Sequence, residues 1–133
     1  MKLMPKLNKL TPMLTVTNMD ETIRFYHDLL GFECCNRNEG WARLLNYGAE
    51  IMIALPNARM AFEHPQFTGS FYMILDDVDA LWQEVRDKVT VVFPIENFYY
   101  GMREFAIRDN NGYMLQFGSE ITDPSQIPPR DED

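Results

Sequence analysis

The chain repeats itself. The stretch LTPMLTVTNMDETIRFYHDLLGF, opening at Leu10, and the stretch SFYMILDDVDALWQEVRDKV, opening at Ser70, align without a gap at an offset of 59 residues. Leu14 meets Met73, Val16 meets Leu75, Met19 meets Val78, Ile23 meets Trp82 and Tyr26 meets Val85. Every pair is apolar on apolar at a position that faces a core. A repeat of this length is one supersecondary unit used twice, so both halves must share one order of elements.

That order is legible in the first copy. Thr11 to Thr17 alternates and is rich in β-formers, which reads as a strand. Asn18 can cap a helix and Glu21 completes a capping box. Met19, Ile23, Tyr26 and Leu30 then recur at helical spacing, and Gly31 ends the helix. Phe32–Arg37, Trp41–Tyr47 and Ala49–Leu55 read as three further strands, with turns at Asn38–Gly40 and Gly48.

The second copy follows the same plan. Phe71–Leu75 is a strand, Asp76 or Asp77 caps a helix with the stripe Val78, Trp82 and Val85, and Val89–Phe93, Arg103–Arg108 and Tyr113–Gly118 are strands. The expected fold is α+β: two tandem β-α-β-β-β modules, about residues 10–56 and 70–118, in one domain over residues 1–118. Pro56–Gly69 reads as a connecting loop. Residues 119–133, acidic and proline-containing, read as a mobile tail.

Charge narrows the partners. The 133 residues carry a net charge of −8. The first nine hold three lysines and the last fifteen a net −4, which leaves −7 for residues 10–118. An acidic body is a poor match for a phosphate backbone, so no nucleic-acid partner is expected. A neutral or cationic small molecule fits better, although acidity also serves solubility. No apolar run reaches the ~18 residues of a membrane span, and the N-terminus lacks the apolar core of a signal peptide. A soluble, cytoplasmic protein without membrane contact is expected. Cys34 and Cys35 are strand neighbours on opposite faces and are not expected to pair.

The stretches LTVTNMDETIRFYHDLLGF and YGMREFAIRDNNGYMLQFG, set on this duplicated plan, resemble the vicinal oxygen chelate superfamily of glyoxalase I, extradiol dioxygenases, fosfomycin resistance enzymes and bleomycin resistance proteins. The first resembles the family's opening strand, cap and FY…LGF helix exit. The second resembles its G-R-x-F…D-P-D-G ending, with Asn110 and Asn111 in place of Pro and Asp. The resemblance implies two curled sheets forming a cleft, with the helices on their outer faces. Strand alternation then sends Leu14, Val16, Met73, Leu75, Leu115 and Phe117 under the helices. It sends Thr11, Met13, Thr15, Ser70, Tyr72, Ile74, Met114 and Gln116 to the cleft, with Glu50 and Met52.

The resemblance also implies four metal-ligand positions. They fall on Thr11, on Glu50 or Met52, on Ser70 and on Gln116. Divalent transition metals favour imidazole and carboxylate ligands, and this set is mostly hydroxyl and amide. His27 is expected on an outer helix and His64 in the connecting loop. No metal and no other cofactor is therefore expected. Gln116 becomes a hydrogen-bonding group in an organic-ligand cleft, or a glutamine satisfied by its neighbours.

Trp41 opens a strand, and Phe98, Tyr99 and Tyr100 cluster in a loop before Gly101. Such residues offer flat contact area to a ligand, or pack a loop or a subunit interface. The resemblance runs closest to the metal-free bleomycin resistance branch: acidic homodimers that sequester a cationic, flat-ended antibiotic without altering it. On that branch Trp41, Glu50, Met52, Tyr72, Phe98, Tyr99, Tyr100 and Gln116 are the expected ligand contacts, Glu50 favouring the positive end. No catalytic residue is assigned. The alternative is a lyase or isomerase of the glyoxalase type, or a dioxygenase-related enzyme, with Glu50 as base.

Overall fold

A computed structural model describes residues 4–59 and 62–130. The remaining residues, at both ends of the chain and in the middle of the connecting loop, lie outside the description, with the ends of the expected domain and tail. The first module is β1 (Met13–Thr15), α1 (Met19–Leu30), β2 (Glu33–Arg37), β3 (Trp41–Asn46) and β4 (Ala49–Ala54). The second is β5 (Phe71–Ile74), α2 (Val78–Val85), β6 (Thr90–Asn97), β7 (Met102–Arg108) and β8 (Met114–Glu120). A short 3-10 turn, Pro124–Gln126, follows.

The helix ends obey the local chemistry. The Asn18 side chain accepts the Glu21 N–H at 2.9 Å, and Asp20 and Glu21 put negative charge in the first turn. Gly31 takes φ 73°, the left-handed conformation that glycine adopts most easily, and its N–H closes on the His27 carbonyl. In α2 the capping residue is Asp77, which accepts the Ala80 N–H at 3.0 Å.

Each module forms a four-stranded mixed sheet, in the orders β1-β4-β3-β2 and β5-β8-β7-β6. The first strand of each pairs in parallel with the last, and the other pairings are antiparallel. This is the α+β duplication expected from the 59-residue repeat. The core lies between the sheets and the helices. Leu14, Val16, Tyr26, Ile53, Val78, Trp82, Val85, Phe105, Leu115 and Phe117 are all buried.

The differences from the expected elements have local causes. β1 is three residues long, since Pro12 has no N–H to give a ladder. β6 runs past Pro94 to Asn97; it is an edge strand, where proline costs no central hydrogen bond. Ile23 is only half-buried, while Thr22 beside it is fully buried. β8 continues beyond Gly118 to Glu120. Ser119 accepts the Val78 N–H at 3.0 Å and donates to the Leu75 carbonyl at 2.6 Å, so the expected domain boundary falls inside a strand that helps cap α2. Among the described residues, no helix is long and apolar enough to cross a membrane.

Candidate functional site

Strand register settles which positions of the two modules correspond. Met13 lies opposite Met52 in the first sheet, and Tyr72, the repeat partner of Met13, lies opposite Gln116 in the second. Met52, not Glu50, is therefore the counterpart of Gln116. One strand further in, Trp41 lies opposite Ala54 and Glu104 opposite Gly118. Trp41 and Glu104 thus occupy equivalent places on the faces turned away from the helices.

The same places carry opposite chemistry. In the first sheet the Trp41 indole N–H points at the Met52 sulfur, 3.3 Å away, and Met13 is 57% exposed nearby on β1. This is a flat aromatic and thioether surface. Beside it, Glu50 accepts from Lys9 at 2.9 Å, from Thr11 at 2.7 Å and from Arg43 at 2.9 Å. Hydrogen bonds from Lys9 and Thr11, together with Arg43, hold the Glu50 carboxyl far down, at about 2. Glu50, expected to favour the positive end of a ligand, thus already carries two cations of the chain itself.

In the second sheet the charge is Glu104, which sequence reading did not single out. Its side chain is fully buried. It accepts the hydroxyl protons of Tyr72, at 3.1 Å, and of Tyr100 on the same oxygen. The Gln116 amide donates to its second oxygen at 3.0 Å, and Ser70 donates to the Gln116 carbonyl. Among the described residues Glu104 takes part in no salt bridge; the neighbouring Arg103 is held by Asp79 at 2.9 Å. Burial, then the hydrogen bond to Glu104, pushes the Tyr72 phenol up to about 12, and the same causes raise Tyr100. The available signal was a charged residue on the inner strand β7, followed directly by the buried run Phe105–Ile107.

The loop Phe98–Gly101 closes over this cluster. Gly101, at φ 88°, makes the tight turn that returns its N–H to the Phe98 carbonyl. The Phe98 and Tyr100 rings stack with centroids 5.4 Å apart, and Tyr99 meets Tyr100 edge-on at 5.2 Å. Tyr99 and Tyr100 are 46% and 50% exposed. The Arg130 guanidinium lies 5.3 Å from the Tyr99 ring centroid.

Of the expected ligand contacts, Tyr72, Tyr100 and Gln116 come together around Glu104, with Phe98 and Tyr99 packed against Tyr100. Trp41 and Met52 come together on the first sheet, where Glu50 is tied up separately. His27 is exposed on α1 and bonds Asp28. His64 lines a different groove, with Met13, Phe67 and Tyr113.

A metal of the kind the resemblance implies does not fit these residues. Thr11 and Ser70 offer neutral hydroxyls, Met52 a thioether that faces the Trp41 indole N–H, and Gln116 a neutral amide whose carbonyl already accepts from Ser70, where such a metal favours imidazole and carboxylate. Among the described residues no three His, Cys, Asp or Glu side chains stand together as ligands.

Comparison with known proteins agrees with this architecture. The family model described as Glyoxalase/Bleomycin resistance protein/Dioxygenase superfamily matches residues 6–117. No curated protein matches the chain in sequence. Among solved structures, a protein of unknown function from Agrobacterium tumefaciens is 20% identical, covering 88% of this chain and 97% of its own, with a TM-score of 0.76. TioX from Micromonospora is 18% identical, covering 84% and 97%, with a TM-score of 0.72. A glyoxalase-related enzyme from Fulvimarina pelagi is 14% identical, covering 86% and 89%, with a TM-score of 0.73. With the family match over most of its length and the duplicated sheets in hand, the chain belongs to the glyoxalase/bleomycin resistance protein/dioxygenase superfamily.

Proposed function

We propose that this protein is a metal-independent binding protein that holds a flat, cationic organic molecule and releases it unaltered. The observation that carries this reading is the state of Gln116. At the position where the family resemblance places a metal ligand, its amide is built into a hydrogen-bonded patch walled by Tyr72 and Tyr100. Such a wall offers contact area and polar anchoring, and its groups are already committed to one another. The indole of Trp41 on the first sheet adds a second flat surface.

The enzymatic alternative, with Glu50 as its base, has less to support it. A carboxyl held at about 2 accepts protons poorly near neutral pH. The apolar side chains standing out from the sheets beside this wall, Met13 and Ile74 at 57% and 75% exposure, support a homodimer that covers part of these faces.

The test is titration with bleomycin-type and other cationic aromatic compounds, followed by tryptophan fluorescence and by recovery of the ligand. Saturable binding at micromolar concentrations, roughly −8 kcal/mol, with intact ligand recovered, is the expected result. A chemically altered ligand, or no response to any of the series, overturns the reading.

A further inference from the structure

We infer that the Glu104 cluster is a subsite for an N–H-bearing cation, a primary ammonium or an amidinium, presented to the phenol oxygens of Tyr72 and Tyr100. The inference rests on the binding reading above and deepens it by naming the group the ligand must carry.

The argument is a count of protons and charges. A phenol has one proton to donate, and both Tyr72 and Tyr100 give theirs to the same Glu104 oxygen. Ser70 gives its own to Gln116. What these three hydroxyls have left for a ligand is lone pairs. A ligand group that meets Tyr72 and Tyr100 must therefore be a donor. Glu104, fully buried behind them, has hydrogen bonds but, among the described residues, no cation. A buried carboxylate is stabilised by an opposite charge as well as by hydrogen bonds, and this one has only the second.

Exposure fixes the geometry of approach. Glu104 is inaccessible, while Tyr72 and Tyr100 are 42% and 50% exposed. The ligand touches the phenol oxygens, and the carboxylate acts through them as a positioning residue. A quaternary ammonium has charge without N–H and a neutral alcohol has a proton without charge. Neither satisfies both demands. Among the described residues no lysine or arginine pairs with Glu104: its sequence neighbour Arg103 binds Asp79, and Lys9 and Arg43 bind Glu50.

The experiment uses three matched probes on the full-length protein: 2-naphthylmethylammonium, its N,N,N-trimethyl analogue and 2-naphthalenemethanol. Binding is followed by calorimetry. The wild type is expected to bind the primary ammonium about ten-fold more tightly than either other probe, the range of a charge-assisted hydrogen bond. Glu104→Gln is expected to erase most of that preference. Tyr72→Phe keeps the ring and removes one acceptor, and should cut the preference by about three-fold or more; it serves if Glu104→Gln does not fold. Equal affinity for the ammonium and trimethyl probes overturns the inference while leaving the binding function standing. So does a preference that survives both substitutions. Failure of all three probes to bind overturns both.

Discussion

The hydroxyl of Tyr26 in α1 donates to the carboxylate of Asp109, 2.7 Å away, and both residues are buried. Eighty-three positions separate them. The bond ties the helix of the first module to the β7–β8 turn of the second. The rest of the turn joins in. Asp109 accepts the N–H groups of Asn111 and Tyr113 at 2.8 and 2.9 Å, the amides of Asn110 and Asn111 donate to Thr22, and Tyr113 donates to the Thr15 carbonyl at 2.6 Å. The two asparagines replace the Pro and Asp of the family ending, and neither of those residues could donate to Thr22 from its side chain. Tyr26→Phe leaves a buried carboxylate oxygen without this partner. It is expected to cost roughly 1.5–3 kcal/mol of stability, the range for a hydrogen bond to a charged group, measured by urea denaturation.

Asp109 also gives the fold a pH dependence of definite sign. Burial raises its carboxyl above the ordinary 3.8, against the lowering effect of its hydrogen bonds. The folded state therefore holds a proton that the unfolded chain has already lost. Stability from this group is fully present below the unfolded value and falls as pH rises through the folded one. Asp109→Asn removes the titration and keeps an oxygen for the turn N–H groups. As pH rises above the ordinary 3.8, its stability should change less with pH than that of the wild type. A steeper fall in the variant contradicts the assignment.

What the sequence made legible follows from what periodicity encodes. The 59-residue offset located both helices and the strands because each repeated apolar position has one face to bury, and Val16, Tyr26, Trp82 and Val85 all do so. Periodicity says nothing about which polar side chains meet across strands. Glu104 escaped notice because its significance lies in Tyr72, Tyr100 and Gln116, which are 32, 4 and 12 positions away. Glu50 was legible as a cleft-facing carboxylate, but not as one already held by Lys9 and Arg43, 41 and 7 positions away. Met52 and Glu50 could be told apart only by strand register.

Glu50 makes an independent electrostatic prediction. Its carboxyl, lowered from 4.5 to about 2, favours the folded state at any pH above its unfolded value, and that contribution is lost as pH falls through about 2. Removing Arg43 or Lys9 should move the Glu50 carboxyl resonance upward in an NMR titration. Arg43→Met and Lys9→Met are each expected to raise the midpoint by about half a unit or more, since each removes a cation within hydrogen-bond reach. A midpoint unchanged in both would show that the ion pairs do not set it.

Gly118 supplies the last test, because it makes room for Tyr72. A Cβ built on Gly118 would lie 2.5 Å from the Tyr72 hydroxyl oxygen and 3.1 Å from the Met102 methyl group. Gly118 also pairs with Glu104 across the strands. The missing side chain is thus what lets the phenol reach the carboxylate. Tyr72 is partly exposed, so its ring can swing outward when crowded. Gly118→Ala is therefore expected to fold, with a stability change of about 1 kcal/mol or less from the crowding. Its effect should fall on the phenol. Released from Glu104, and with its hydroxyl in water, Tyr72 should titrate nearer the ordinary tyrosine value of about 10 than the value of about 12 to which the cluster pushes it. Ultraviolet difference spectra from pH 9 to 13, with Tyr72→Phe as the reference, read this directly. A Tyr72 phenol that still titrates near 12 in Gly118→Ala would mean that the hydroxyl keeps its place despite the added methyl, and that the glycine is not what opens the path to Glu104.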